Sequence, residues 1–301
     1  MSYVADTFRS ADGTVELRRH RWLPEERAGQ AGQAGQAGQT VRGVVVFAHG
    51  IMEHGLRHGS WASRVSQEGI AVVAMDHRGH GESGGERVWV DRFDLFVDDF
   101  DRLFEFARSE YPGVPIFLMG FSMGGAIAAQ TWRLRHPAAA GLILTAPALH
   151  TALFPILQRM SGFVDRLFPR FRLFTLGTAR MVSRDPAVSE AFRTDPLVYR
   201  GPFPIHIGAE VLRASRAINQ DFAAFDLPLL MLHGTGDRIT GIVGCERMLA
   251  SAPSADKTLI RYDGAYHDLF HELPETRERV LSDLLAWLER RVGASTPPQS
   301  T

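Results

Sequence analysis

"PIFLMGFSMGGAIAAQ", Pro115 to Gln130, changes rhythm in its middle. An unbroken apolar run stops at Gly120, and an Ala-rich segment starts after Gly125. A short continuous apolar run is the mark of a strand covered on both faces, and alanine is the strongest helix former. Between the two stands Ser122, with Gly120 two residues before it and Gly124 two residues after. Strand, sharp turn and helix therefore follow one another directly. That unit predicts a parallel sheet with helices packed on it.

The rest of the chain repeats the unit. Val44–Ala48, Gly69–Asp76, Val114–Gly120, Ala140–Pro147, Leu227–Gly234 and Lys257–Gly264 all read as short buried strands. A looser alternation over Val15–Leu23 reads as another. Between them lie amphipathic segments. Phe93, Phe96, Val97, Phe100, Leu103, Phe104 and Ala107 form one helical stripe, and Val280, Leu284, Leu285 and Leu288 form a second near the end. The expected class is α/β, a mostly parallel sheet with helices on both faces.

Residues 149–225 break the rhythm, since no buried strand is evident there. About 75 residues are too many for a plain connection, so the span is expected to be an inserted helical cap over the carboxyl edge of the sheet. Its Phe154, Ile156, Leu157, Met160, Phe163, Leu167, Phe168, Phe171 and Phe174 read either as packing or as an apolar mouth. The triplet tract over 28–39, "AGQAGQAGQAGQ", cannot bury a core and is expected to be a flexible loop. The end, 293–301, is expected to be a disordered tail.

Composition excludes several classes. The 301 residues carry 33 Lys+Arg against 34 Asp+Glu, a formal net charge of −1, so no basic footprint for nucleic acid exists. A single cysteine, Cys245, rules out an intramolecular disulfide. The first residues lack the basic and apolar regions of a secretory signal, and no run reaches the roughly 18 apolar residues of a membrane span. The expected location is the cytoplasm, with peripheral membrane-surface contact through the cap. Oligomeric state is not legible.

The chemistry centres on Ser122. In G-x-S-x-G between a strand and a helix, a serine is lifted into the cleft at the positive end of the helix. Alone it would serve as a helix cap; as a nucleophile it needs a base, and the base needs an orienting acid. Asp237, in "HGTGDRIT", and His267, in "DGAYHDLF", each follow a predicted strand at its carboxyl end, in the order such sites use. These are the expected catalytic residues. The backbone N–H groups of Ile51 and Met123 are the expected oxyanion donors. Glu53 and Arg57 are candidates for binding a polar head; the alternative is a salt-bridged loop. His54/His58 and His267/His271 have metal-ligand spacing but belong to no H-E-x-x-H, so neither metal nor cofactor is expected.

With these residues in place, the sequence resembles the monoacylglycerol lipase and lysophospholipase branch of the α/β-hydrolases. "HGIMEHGLRHG" from His49, "DHRGHGESGG" (Asp76–Gly85), "GFSMGG" and "GAYHDLFHELPE" are similar to that branch's motifs, in order, across roughly residues 40 to 290. The resemblance implies an α/β-hydrolase fold with an inserted cap, the triad Ser122, Asp237 and His267, oxyanion donors Ile51 and Met123, and a small lipid or ester substrate. The implied reaction removes one acyl chain from a small polar head through an acyl-enzyme. Alternatives are a lysophospholipase, a broad carboxylesterase that takes aromatic diesters, or a non-catalytic module binding an apolar ligand. Phe121 replaces the branch's His, and Phe270 stands where glycerol-handling members carry a second His.

Overall fold

The computed structural model describes residues 1–25, 41–150, 165–174 and 179–293. The triplet tract, the tail from 294, and Phe154, Ile156, Leu157, Met160 and Phe163 lie outside the described residues. The six apolar runs become β3 (Gly43–Ala48), β4 (Ile70–Met75), β5 (Ile116–Phe121), β6 (Gly141–Thr145), β9 (Leu229–Gly234) and β10 (Lys257–Tyr262). The loose alternation becomes β2 (Glu16–Leu23). With β1 (Ser2–Arg9) at one edge, the sheet order is β1-β2-β4-β3-β5-β6-β9-β10, parallel from β4 to β10.

One edge of the sheet carries no signal in the sequence. β1 pairs antiparallel with β2, and β2 pairs antiparallel with β4. None of its residues is buried, so it shows no apolar periodicity to read. Cross-strand charge holds it instead: Arg19 makes a two-pronged contact with Asp6 at 2.8 Å on each oxygen.

Alternation along each strand feeds two cores. Val44, Val46, Val73, Leu118 and Leu144 face α2 (Asp94–Glu110) and α3 (Met123–Arg135). Val45, Phe47, Val72, Phe117 and Ile143 face α1 (Gly59–Gln67) and the last helix, which holds Val280, Leu284, Trp287 and Leu288. The predicted stripe from Phe93 to Ala107 is buried along its whole length. A sheet covered on both faces leaves its carboxyl edge as the place where loops can build a site.

Between β6 and β9 the chain leaves the sheet. The described part holds a two-stranded ribbon, β7 (Arg172–Phe174) with β8 (Phe203–Pro204), then α4 (Pro186–Thr194) and α5 (Ile205–Gln220). α5 sends Ile207, Ala214 and Ile218 into the same core as α2 and α3. α4 buries none of its residues. The remaining helices are α6 (Val243–Ser251) and α7 (Pro274–Val292).

Candidate active site

The turn at Ser122 is tight for a local reason. A Cβ at Gly120 would lie 2.1 Å from the Gly124 carbonyl oxygen, and one at Gly124 would lie 2.0 Å from the Ala48 carbonyl oxygen. A side chain at Gly120 would push α3 off β5, and one at Gly124 would push α3 off the end of β3. Ser122 itself has φ of 55°, sparsely allowed for a residue with a Cβ, and it sits directly before α3. The turn is held by the Ser122 N–H donating to Thr145 O and by Ala148 N–H donating to Ser122 O.

The hydroxyl meets His267. Ser122 Oγ lies 2.9 Å from His267 Nε2, and His267 Nδ1 lies 2.7 Å from Asp237 Oδ2. Nδ1 faces a carboxylate, so it carries the proton, and Nε2 is left to accept from the serine. All three residues come from turns at the carboxyl ends of β5, β9 and β10; Ser122 and His267 are buried, and the side chain of Asp237 is fully covered. Burial opposes charging of His267, but the Asp237 carboxylate and its hydrogen bond prevail and raise the imidazole pKa above its ordinary value. Burial also opposes ionisation of Asp237, and His267 prevails there too, lowering the carboxyl pKa.

The loop after β3 lies against this turn: a Cβ on Gly50 would come within 3.1 Å of the Phe121 ring. His49 fixes its geometry. The ring accepts from His77 N–H at Nε2 (3.0 Å), so Nδ1 bears the proton and donates to Gly50 O at 2.6 Å. The peptide is trans, so a pinned Gly50 carbonyl aims the Ile51 N–H the opposite way. Met123 is the first residue of α3, and its N–H is one of the four that a helix leaves without an internal acceptor.

Glu53 and Arg57 take the second of the two readings open to them. Glu53 is 2% exposed. Its Oε1 accepts from Gly50 N–H (2.7 Å) and His58 Nε2–H (2.9 Å), and its Oε2 accepts from Arg57 (2.9 Å). Arg57 also donates to Asp268 at 2.5 Å, and His271 contacts Asp268 and the Arg57 carbonyl oxygen. The salt-bridged loop is what forms, and the head-group role is withdrawn for Glu53, whose oxygens are already engaged. Trp61 Nε1–H donates to His58 Nδ1 at 3.1 Å, which leaves His58 neutral, as burial also favours. Burial opposes the charge on Glu53 and Asp268. The bond from His58 and the charge of Arg57 hold Glu53 low, while His271 and Arg57 hold Asp268 well below the usual carboxylate range.

The described insertion is stapled to these loops. Tyr199 N–H donates to Met52 O at 2.8 Å, and His54 Nε2 meets Asp195 at 2.9 Å. On the histidine side, Asp268 N–H donates to Val182 O, Ser183 Oγ donates to His271 O, and Arg184 pairs with Glu272. No sequence signal marks these long-range partners.

Comparison with known proteins follows the same line. Residues 39–274 match the hydrolase family described as "Serine aminopeptidase, S33". The chain is 37% identical over 250 residues to a monoacylglycerol lipase of Mycolicibacterium smegmatis, covering 82% of this chain and 88% of that one. It is 32% identical to a human monoglyceride lipase, covering 86% and 87%. The solved monoacylglycerol lipase of Paleococcus ferrophilus superposes with a TM-score of 0.77 at 25% identity, over 97% of this chain and 100% of that one. The chain belongs to this family. It is an α/β-hydrolase of the esterase and lipase kind.

Within the family frame, the two departures are packing solutions. Phe121 packs its ring 4.9 Å from that of His267, and Phe270 stacks on Trp61 at 5.0 Å. His271, one place later, turns to Asp268.

Proposed function

We propose that the chain cleaves one acyl chain from a small polar head, as a monoacylglycerol lipase does, with Ser122 as nucleophile, His267 as base and Asp237 as its orienting acid. The observation that carries this is the buried series Ser122 Oγ–His267–Asp237, at 2.9 Å and 2.7 Å, on the carboxyl edge of the sheet. Ser122 Oγ attacks the ester carbonyl while His267 Nε2 takes its proton. The carbonyl oxygen gains the negative charge, which the N–H groups of Ile51 and Met123 stabilise. Collapse expels the alcohol, which receives the proton from His267 and leaves Ser122 acylated. Water then attacks the acyl carbon while giving a proton to His267, and that proton passes to Ser122 Oγ as the acyl–oxygen bond breaks and the fatty acid leaves.

The cap, 149–225, is proposed to supply an apolar seat for the acyl chain. Leu167, Phe168 and Phe171 are 54%, 62% and 53% exposed, which supports contact with a lipid surface. Among the described residues no helix is long and apolar enough to cross a membrane.

The test is fatty-acid release from matched micelles of monoacylglycerol, lysophosphatidylcholine and triolein. A seat for one chain gains about 0.8 kcal/mol per methylene buried and has no place for two more chains, so triolein is expected to be a poor substrate. Equal rates on triolein would overturn the single-chain reading. Ser122→Ala is expected to lower turnover by about 10⁴-fold or more with the fold retained, and near-native turnover would remove Ser122 from its role.

A further inference from the structure

Nothing in the sequence singles out Thr240, three residues after Asp237. It is 3% exposed and sits in the turn that follows β9. Its N–H donates to Asp237 Oδ1 at 3.1 Å, beside that of Ile239 at 2.8 Å. Its hydroxyl oxygen lies 2.8 Å from Asp237 Oδ2, 3.1 Å from Ala146 O and 3.3 Å from His267 Nδ1. A hydroxyl has one proton to give, and His267 Nδ1 already carries its own. The two oxygens compete for the Thr240 proton. Asp237 is nearer and charged, and charge-assisted bonds are the stronger.

The Asp237 carboxylate thus receives four hydrogen bonds, two on each oxygen, and Thr240 supplies one to each. We propose that the Thr240 hydroxyl is a positioning residue, which holds Asp237 Oδ2 in line with the His267 Nδ1–H and limits how strongly the carboxylate favours the imidazolium. This rests on the Ser–His–Asp reading given above.

The sign follows from the charge. Without the hydroxyl, Oδ2 keeps more of its negative charge toward the ring, so the imidazolium is favoured and the acid limb of activity moves to higher pH. The carboxylate also gains freedom to turn, so turnover falls. Among the described residues, few other titratable groups face this pair. Asp268 and Glu53 add negative potential at His267. His233 has Nε2 3.9 Å from Asp237 Oδ2 and is kept neutral by burial. Burial likewise pushes the Cys245 thiol up, so it stays protonated.

The test compares Thr240→Val, which keeps the shape without the hydroxyl, with Thr240→Ser, which keeps the hydroxyl. Read out are kcat and KM against pH on a soluble p-nitrophenyl ester, and the downfield proton resonance of His267 Nδ1–H. For Thr240→Val we expect about a tenfold loss in kcat at little change in KM, as befits a bond to a charged group. Its acid limb should lie higher and its Nδ1–H resonance should move, and Thr240→Ser should restore all three. Should the valine variant fail to fold, Thr240→Ala removes the hydroxyl without setting a methyl against Asp237 and gives the same readouts. A variant without the hydroxyl that keeps native kcat and pH limb, or a serine variant as impaired as the valine one, would overturn the proposal. Ser122→Ala measured beside them separates the readings: if it stayed active, the triad itself would fall.

Discussion

Ser122 shows how much a single residue needs from its neighbours. Its positive φ is held because Gly120 and Gly124 let the strand and helix close on it. The serine, Asp237 and His267 were legible because each closes a predicted strand, and residues at the carboxyl ends of parallel strands converge. Thr240 was not legible, since a threonine in a turn looks like any other. In the proposed mechanism His267 must be neutral to take the proton from Ser122, and Asp237 raises its pKa above the ordinary 6.5. Turnover should therefore be full above the raised value and fall as pH drops through it, giving an acid limb above 6.5. A kcat/KM profile flat down to about pH 5 would remove His267 as base.

At the scale of elements, the loop after β3 is organised by a buried charge cluster. The side chains of Glu53, Arg57 and Asp268 are buried together, and the Gly50 N–H is one of the donors that satisfies Glu53. The sequence allowed both a head-group site and a salt-bridged loop, because charged residues near a turn do not say where their partners lie. Asp268 is 211 residues from Arg57, a distance only folding closes. Arg57 is the cation shared by two buried carboxylates, so removing it leaves both without their partner, which costs about 3–5 kcal/mol. Arg57→Gln should accordingly lower the denaturation midpoint strongly, and a midpoint within experimental scatter of the parent would contradict this account. The pH dependence has a definite sign. Glu53 and Asp268 have lowered pKa values in the fold, so their stabilisation is present above the unfolded value of about 4 and is lost as pH falls below it.

At the scale of the whole molecule, the insertion has two kinds of surface. Residues 182–199 are stapled to the loops carrying Met52, His54, Asp268 and Glu272, while Leu167, Phe168 and Phe171 point their apolar surface outward. Phe168→Ser with Phe171→Ser should weaken co-sedimentation with phosphatidylcholine vesicles and leave turnover of p-nitrophenyl acetate near the parent's. Unchanged vesicle binding would refute the surface role. The sequence by itself determined the α/β class and the buried strands of the sheet, and it pointed to Ser122, Asp237 and His267, because buried strands and sharp turns leave local, periodic signals. It left β1 unseen, since an exposed edge strand held by charge has no apolar period. Only the tertiary structure decided that Glu53 and Arg57 belong to an internal ion cluster, that α5 joins the main core, and that Thr240 completes the carboxylate. Those are contacts between residues far apart in the chain or ambiguous in type, and their partners are chosen by packing rather than by local propensity.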